Sequence, residues 1–221
     1  MYLRAFAIVA HIKFGYDAHM FIQTPNEAEN LRSEIAMLAA RMIAEDGADY
    51  GAAKRRAAKQ ILGNAKVRGD VLPDNEQIEH EVREYNALFF ADSQPQKLLE
   101  LRELALRIMQ QIAEFNPYIV GAVLNGTANK HSDIHLHLFT DNGKDVALFL
   151  LNKNIQFEVT ESSNARSEGL ETFSFMAEQV GVHLVVHDAD AIRQGGRNER
   201  ANASTLQELI AQSLNDPDAT L

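Results

Sequence analysis

The 221-residue sequence contains no cysteine. This absence excludes disulfide scaffolds, cysteine-ligated zinc, iron–sulfur clusters and thiol nucleophiles, and it is compatible with a reducing compartment. Any transition metal must therefore be held by histidine and carboxylate side chains. The composition, 46% hydrophobic and 24% charged, is typical of a globular protein of one or two domains.

A long apolar run is also missing. The best candidate is residues 1–22, but Arg4, His11 and Lys13 interrupt it and no small-residue cleavage site follows. Because a membrane span needs about 20 consecutive apolar residues, we expect no signal peptide, no membrane partner and a cytoplasmic location. Residues 1–24 are predicted to form an N-terminal arm.

Two phosphate-binding motifs are absent as well. The chain has neither Gly-x-x-x-x-Gly-Lys nor Gly-x-Gly-x-x-Gly, which excludes P-loop ATPases and Rossmann dehydrogenases. A Ser132, His131 and Asp133 triad is excluded too, because adjacent strand residues point to opposite faces.

Positive charge is scarce, with 21 Lys and Arg against 31 Asp and Glu for a net charge of -10. This balance disfavours nucleic acid as a partner, although a local basic site can still bind a phosphate. Lys54, Arg55 and Lys59 form the densest basic run, and they are either a phosphate-binding surface or a solvated helix face. Another basic group can act as an anion clamp or be a plain loop: Arg193, Arg197 and Arg200.

Residues 25–115 show helical periodicity. Thr24-Pro25-Asn26-Glu27 is typical of a capped helix start. Further amphipathic helices are predicted from Tyr50 to Leu62, around residues 78–88, and around residues 98–115 with Ser93 as the cap. Four such helices joined by short loops predict a helical region or a small bundle.

The period changes at Asn116. Strands are predicted at residues 118–124, 133–139, 156–160, 171–178 and 182–187, with a tight hairpin between the last two. Helices are predicted at residues 144–151 and 205–213, before a frayed tail at 215–221. The predicted fold class is therefore mixed α+β, with a helical region at 25–115 followed by a mixed β-sheet with flanking helices at 116–214.

The predicted strand from Asp133 to Phe139 divides its side chains between two faces. Apolar Ile134, Leu136 and Leu138 share one face, whereas polar residues share the other, because strand side chains alternate. The polar set is Asp133, His135 and His137.

This stretch resembles the nucleotidyltransferase superfamily, whose core is a Gly-Ser turn followed by a strand carrying Asp-x-Asp. Gly126-Thr127 is similar to the turn and Ser132-Asp133 to the start of the strand. The resemblance implies that Gly126, Thr127 and Ser132 seat the phosphates of an NTP. It also implies that Asp133 holds divalent metal, Mg²⁺ or Mn²⁺, together with a carboxylate from a later strand.

Two departures accompany the resemblance. His135 stands where the second carboxylate is expected, although Mg²⁺ prefers oxygen ligands. The third carboxylate has two candidates, Glu158 and Glu178. The leading hypothesis is metal-dependent nucleotidyl transfer from an NTP to an unidentified acceptor at an incomplete site, with His135 or His137 as an unusual ligand or proton carrier. The alternative is a non-catalytic nucleotide-binding or regulatory module whose helices form a partner or homodimer surface.

The histidines support a further hypothesis, a His-rich site for Zn²⁺ or a similar ion. Imidazoles on two predicted strands would converge if the strands were neighbours. The competing interpretation is the polar side of a half-covered sheet. The residues concerned are His131, His135, His137, His183 and His187.

Overall fold

The structure is a computed structural model that describes residues 25–63, 71–161, 171–193 and 199–215. The predicted arm at 1–24, the Thr24 cap, Arg197 and the tail beyond Asn215 lie outside the described residues. The predicted mixed α+β fold class is confirmed: a helical N-terminal region precedes a five-stranded mixed sheet.

In the described part of the chain four helices precede the sheet, and two of them begin at a capping side chain. They are α1 (Pro25–Asp46), α2 (Tyr50–Leu62), α3 (Asn75–Phe89) and α4 (Gln94–Gln111). Asp49 caps α2 and Asp74 forms a capping box with Gln77 on α3. Ser93 occupies the N-cap position of α4, as predicted, but its side chain makes no capping hydrogen bond.

The helical region has its own core, built by α1, α2 and α3. Ile35, Ala53, Ala57, Ile78 and Val82 are among its fully buried residues. The alanines of α2 let the helix axes approach closely, because a small side chain leaves room for the facing ridge.

Helix α4 packs elsewhere. Leu101, Ala105 and Met109 are buried in a second core together with the apolar face of the sheet. The four helices therefore do not form one bundle. On α3 the periodicity also misleads, since Leu88 is 71% exposed while Asn86 is buried.

The sheet and its flanking helices follow a short 3-10 turn at Ala113–Phe115. The strands are β1 (Tyr118–Val120), β2 (Ile134–Phe139), β3 (Glu158–Glu161), β4 (Glu171–Ala177) and β5 (Val180–His187). The helices are α5 (Ala122–Asn125), α6 (Gly143–Asn152) and α7 (Ala203–Asn215), with another 3-10 turn at Ala189–Arg193.

The strand order is β1-β2-β5-β4-β3, and among these described strands only the β2–β5 pair is parallel. The predicted hairpin is confirmed, because β4 and β5 are joined by Glu178 and Gln179 alone. Both joining residues have positive φ, 49° and 68°, as a two-residue type I′ turn requires.

The predicted strand at 118–124 is shorter in the structure. It ends at Val120, where Gly121 adopts φ 72° and the chain turns into α5. Only glycine adopts that conformation without a steric penalty, so the backbone of Gly121 sets the end of the strand.

The apolar face of the sheet is covered, and its other face is polar. Ile134, Leu136 and Leu138 of β2 are fully buried against α4, α6 and α7, as are Val182 and Leu184 of β5. Across the described residues, no helix is both long and apolar enough to cross a membrane.

Candidate functional site

A row of polar side chains crosses the second face of the sheet, which we call the open face. His135 of β2 is the register partner of His183 on β5, His183 pairs with Ser174 on β4, and Ser174 pairs with Glu158 on β3. Because directly paired residues project from the same face, these four side chains form one line across the strands.

Asp133, immediately before β2, joins this row through His183. Its Oδ2 lies 3.2 Å from His183 Nε2, and the other ring nitrogen, Nδ1, lies 2.9 Å from Ser174 Oγ. The Asp133 side chain is 47% exposed and that of His183 is 28% exposed. The result is a continuous hydrogen-bonded chain, Asp133–His183–Ser174, that solvent can reach at its carboxylate end.

His135 lies flat beside His183. Their ring centroids are 4.7 Å apart with an interplanar angle of 21°. His135 is exposed on the sheet, but partial desolvation by its neighbours lowers its pKa, and the adjacent His183 lowers it further. Neutral imidazole is therefore the favoured form of His135 at pH 7, and it is the form that ligates metals.

His137 and His187 form a separate, drier pair at the other end of β2. Their centroids are 4.5 Å apart. Burial lowers the pKa of His137 to about 4, with further contributions from His187, His135 and Arg200. Burial also lowers the pKa of His187, whose Nε2 is buried without a hydrogen-bond partner in the described part of the chain.

Arg200 covers this pair instead of facing an open cleft. Its guanidinium lies 5.3 Å from the Tyr118 ring centroid and 5.0 Å from that of Phe139, and it donates to the Ile192 carbonyl. Arg193 makes a distant, exposed ion pair with Asp190. Arg193 and Arg200 therefore form no anion clamp in this conformation.

The predicted phosphate seat at Gly126-Thr127 is not formed. The Gly126 amide donates to the Ala122 carbonyl, and the Thr127 amide and hydroxyl both donate to Asn125 Oδ1. Tyr50 OH also lies 3.1 Å from Thr127 Oγ1, and Thr127 is only 1% exposed. An anion needs free, outward amides, and this turn has none to offer.

The carbonyls of the same segment are held from the helical side. Arg102 donates to the carbonyls of Val123 and Leu124. Three more side chains bind the next four carbonyls, residues 125–128: Arg83, Asn86 and Gln94. The Gly-Thr turn is therefore a structural junction between α3, α4 and the sheet.

The loop that follows is fixed in the same way. Ser132 Oγ accepts from the Asn129 amide at 3.0 Å, so Ser132 orders the loop in this conformation. Asn129 is buried and donates to the carbonyls of Ile43 and Ala44 at the end of α1. His131 belongs to this contact and not to the open face, since its Cβ packs against Gly47.

Two residues of the basic run on α2, Arg55 and Lys59, face away from this junction. Tyr50 reaches Thr127, but Arg55 is rotated by about 140° and Lys59 by about 180° from Tyr50 around the helix. Lys54 lies nearer the Tyr50 side and, with Arg55 and Lys59, borders a groove beside Leu72 and Asn75. Arg55 and Lys59 therefore project away from the Gly-Thr turn, and phosphate binding by Lys54, Arg55 and Lys59 stays a prediction.

Neither predicted third carboxylate reaches Asp133. Glu158 stands three strands from His135, about 14 Å at ordinary strand spacing, and cannot share an ion with Asp133. Glu178 accepts from Arg107 through both carboxylate oxygens, at 2.9 and 3.0 Å. The neighbouring strand instead places His183 beside Asp133.

These residues do not fit a pair of Mg²⁺ ions. Two-metal chemistry needs carboxylates that bridge the ions, whereas the groups nearest Asp133 on the open face are the imidazoles of His183 and His135. Within the described residues, no group of three or more His, Cys, Asp or Glu side chains is arranged to hold a metal ion.

Two residues of the site escaped sequence reasoning. Ser174 was not singled out because it lies on an ordinary alternating strand, and Gly181 because a lone glycine near a turn is common. Gly181 lies under Asp133, where an added Cβ would be 2.5 Å from Oδ1. The only available signal was the hairpin, which fixes Ser174 opposite His183 once its two-residue turn is assumed.

Comparison with known proteins does not assign this chain to a family. The sequence matches no protein-family model, and no curated protein is significantly similar to it.

Proposed function

We propose that this protein is a non-catalytic binding module built on a nucleotidyltransferase-like domain. Its open face binds a ligand at Asp133, and the helical region locks the segment that would otherwise seat a triphosphate. The observation that carries the proposal is the Gly126-Thr127 turn, whose amides and carbonyls are all occupied within the protein.

The chemistry of the open face supports the same conclusion. Nucleotidyl transfer through two metals requires several carboxylates on one rigid face. Here one carboxylate, Asp133, is followed by His135 on its own strand and accompanied by His183 on the adjacent strand. The residues can bind and orient a ligand, but they supply too few oxygen ligands for two hard cations.

A second candidate is metal-dependent nucleotidyl transfer itself. It is favoured by the position of Asp133, which is half exposed and lies immediately before β2, an interior strand of the sheet. For this function the Gly126 amide would have to leave the Ala122 carbonyl, and the Thr127 amide would have to leave Asn125 Oδ1, before an NTP could bind.

Pyrophosphate release and transfer of labelled nucleotide separate the two candidates. Wild-type protein is incubated with each NTP and with Mg²⁺ or Mn²⁺, alongside Asp133→Asn. The binding-module proposal predicts no turnover in either protein. Turnover in the wild type that disappears in Asp133→Asn would overturn it.

Restoring the missing carboxylates gives a sharper comparison. The double variant His135→Asp/His183→Asp places three carboxylates together on the open face. We expect it to bind Mg²⁺ without gaining NTP binding, because the phosphate seat stays closed. If the double variant binds NTP tightly with Mg²⁺, the closed turn is not the barrier and the proposal is wrong.

A further inference from the structure

We propose that Asp133 and His183 bind one late-transition-metal ion of the Zn²⁺ class, and that Ser174 orients His183 for this role. The proposal uses the open face assigned above and rests on it, since it names the ligand of the proposed binding module. It selects His183 from the histidine cluster as the partner of Asp133, adds Ser174 to the site and excludes Glu158 from it.

The separation of the two donor atoms fits one tetrahedral ion. Zn–N and Zn–O bonds are each about 2.0 to 2.2 Å, so two ligands at the tetrahedral angle have donor atoms about 3.4 Å apart. Asp133 Oδ2 and His183 Nε2 are 3.2 Å apart. An ion on Nε2 can therefore also reach Asp133 Oδ2 at this donor separation once the carboxylate turns off the axis of the present hydrogen bond.

Ser174 supplies the contact that a metal-binding histidine needs on its second nitrogen. Without metal, the geometry suits a Ser174 hydroxyl that donates to Nδ1 while Nε2–H donates to Asp133. With metal on Nε2, the single imidazole proton moves to Nδ1 and donates to Ser174 Oγ. Such outer contacts fix the tautomer and the ring orientation of metal-binding histidines.

Gly181 makes room for the carboxylate. An ideal Cβ at this position would lie 2.5 Å from Asp133 Oδ1 and 2.7 Å from its Cγ. Because Gly181 has no side chain, the Asp133 carboxylate lies directly against the β5 backbone, within hydrogen-bond distance of His183. The half-exposed Asp133 leaves the remaining coordination positions open to water.

The ligand types favour Zn²⁺, Co²⁺ or Ni²⁺ over Mg²⁺. Imidazole nitrogen binds late transition ions well, whereas Mg²⁺ requires a nearly complete oxygen shell. His135 adds a second neutral imidazole beside the site, stacked on His183. The absence of cysteine restricts the protein to this type of ligand set.

The test is calorimetric titration of tag-free, metal-free protein with Zn²⁺, Co²⁺ and Mg²⁺, without nucleotide. We expect one Zn²⁺ per chain and binding of Mg²⁺ at least about 100-fold weaker. Asp133→Asn and His183→Gln should each weaken Zn²⁺ binding at least about 10-fold, and Ser174→Ala about 10-fold to 100-fold. Circular dichroism and urea midpoints check that each variant is folded.

Two matched controls should leave Zn²⁺ binding unchanged. Thr172→Ala removes a hydroxyl from the same strand and face as Ser174, but its partner is Val185 and not His183. His80→Ala removes an exposed histidine from α3. Glu158→Gln is also expected to bind Zn²⁺ like the wild type, because Glu158 lies too far from Asp133.

Side-chain NMR tests the role of Ser174, because it shows which ring nitrogen of His183 carries the proton. We expect the His183 proton on Nε2 without metal and on Nδ1 with Zn²⁺. Absence of Zn²⁺ binding, binding that survives both Asp133→Asn and His183→Gln, or equal affinity for Mg²⁺ would each overturn the inference. The inference can fail in this way while the proposed function stands, whereas NTP turnover with Mg²⁺ would refute the proposed function by itself.

Discussion

Arg102 is the buried side chain that holds the closed Gly-Thr segment to α4, and its replacement by methionine tests the strength of that contact. Arg102 is 8% exposed and donates to the Val123 carbonyl at 3.1 Å, the Leu124 carbonyl at 3.2 Å and Ser213 Oγ at 3.2 Å. Burial lowers its pKa, and no carboxylate of the described residues forms an ion pair with it.

The expected loss follows from these contacts. Hydrogen bonds from a charged donor contribute about 1.5 to 3 kcal/mol each, and removing the buried charge recovers several kcal/mol of desolvation. Arg102→Met should therefore lower the free energy of unfolding by about 3 kcal/mol. Arg107→Met is the matched control, because Arg107 is exposed and its ion pair with Glu178 should contribute only about 0.5 kcal/mol.

Urea unfolding at pH 7 measures both variants. Amide hydrogen exchange provides a local readout, since release of the carbonyls should increase exchange at Gly126, Thr127 and Ala128. A loss below about 0.5 kcal/mol for Arg102→Met, within the range of ordinary surface substitutions, would refute the reasoning that this arginine fixes the segment.

Two further predictions concern the sheet. Burial lowers the pKa of His137 to about 4 in the folded protein. Between about pH 6.5 and pH 4 the unfolded chain therefore binds a proton at this residue that the folded protein does not bind. The free energy of unfolding should fall as the pH drops through this range. Between pH 7 and pH 4.5 the free energy of unfolding, measured with urea, should therefore fall by about 1 to 2 kcal/mol less in His137→Gln than in the wild type. Equal decreases in the two proteins would contradict the lowered pKa of His137. At the hairpin, Gln179 has φ 68°, so Gln179→Gly should raise the free energy of unfolding by about 1 kcal/mol; a decrease would argue against the positive φ.

Hydrophobic periodicity predicted the helices and strands that bury one regular face. Alternation in β2 and the spacing of α2 and α4 are strong because one face of each element is buried. The prediction failed where one residue overrides the pattern, as at Gly121, which ends β1 early. It also failed on α3, where the buried position belongs to Asn86, which donates to the Thr127 carbonyl.

The site was predictable only in part. Asp133 and His135 were identified from the sequence because a strand fixes which face they share. Their partner His183 was named only as a member of the histidine cluster, because its contact with Asp133 depends on β5 lying beside β2, and His183 is 50 residues further along the chain. The closed turn was missed for the same reason, since its donors come from helices whose packing no local pattern encodes.

Equilibrium binding of NTPs to the wild-type protein tests the central claim most directly. Each NTP is titrated with saturating Mg²⁺, and the amide signals of Gly126 and Thr127 are followed by NMR. The closed turn predicts no saturable binding below about 1 mM, the weak end of ordinary substrate affinities, and no shift of these two amides. Saturable binding below about 0.1 mM that shifts both amides and is lost in Asp133→Asn would contradict the account.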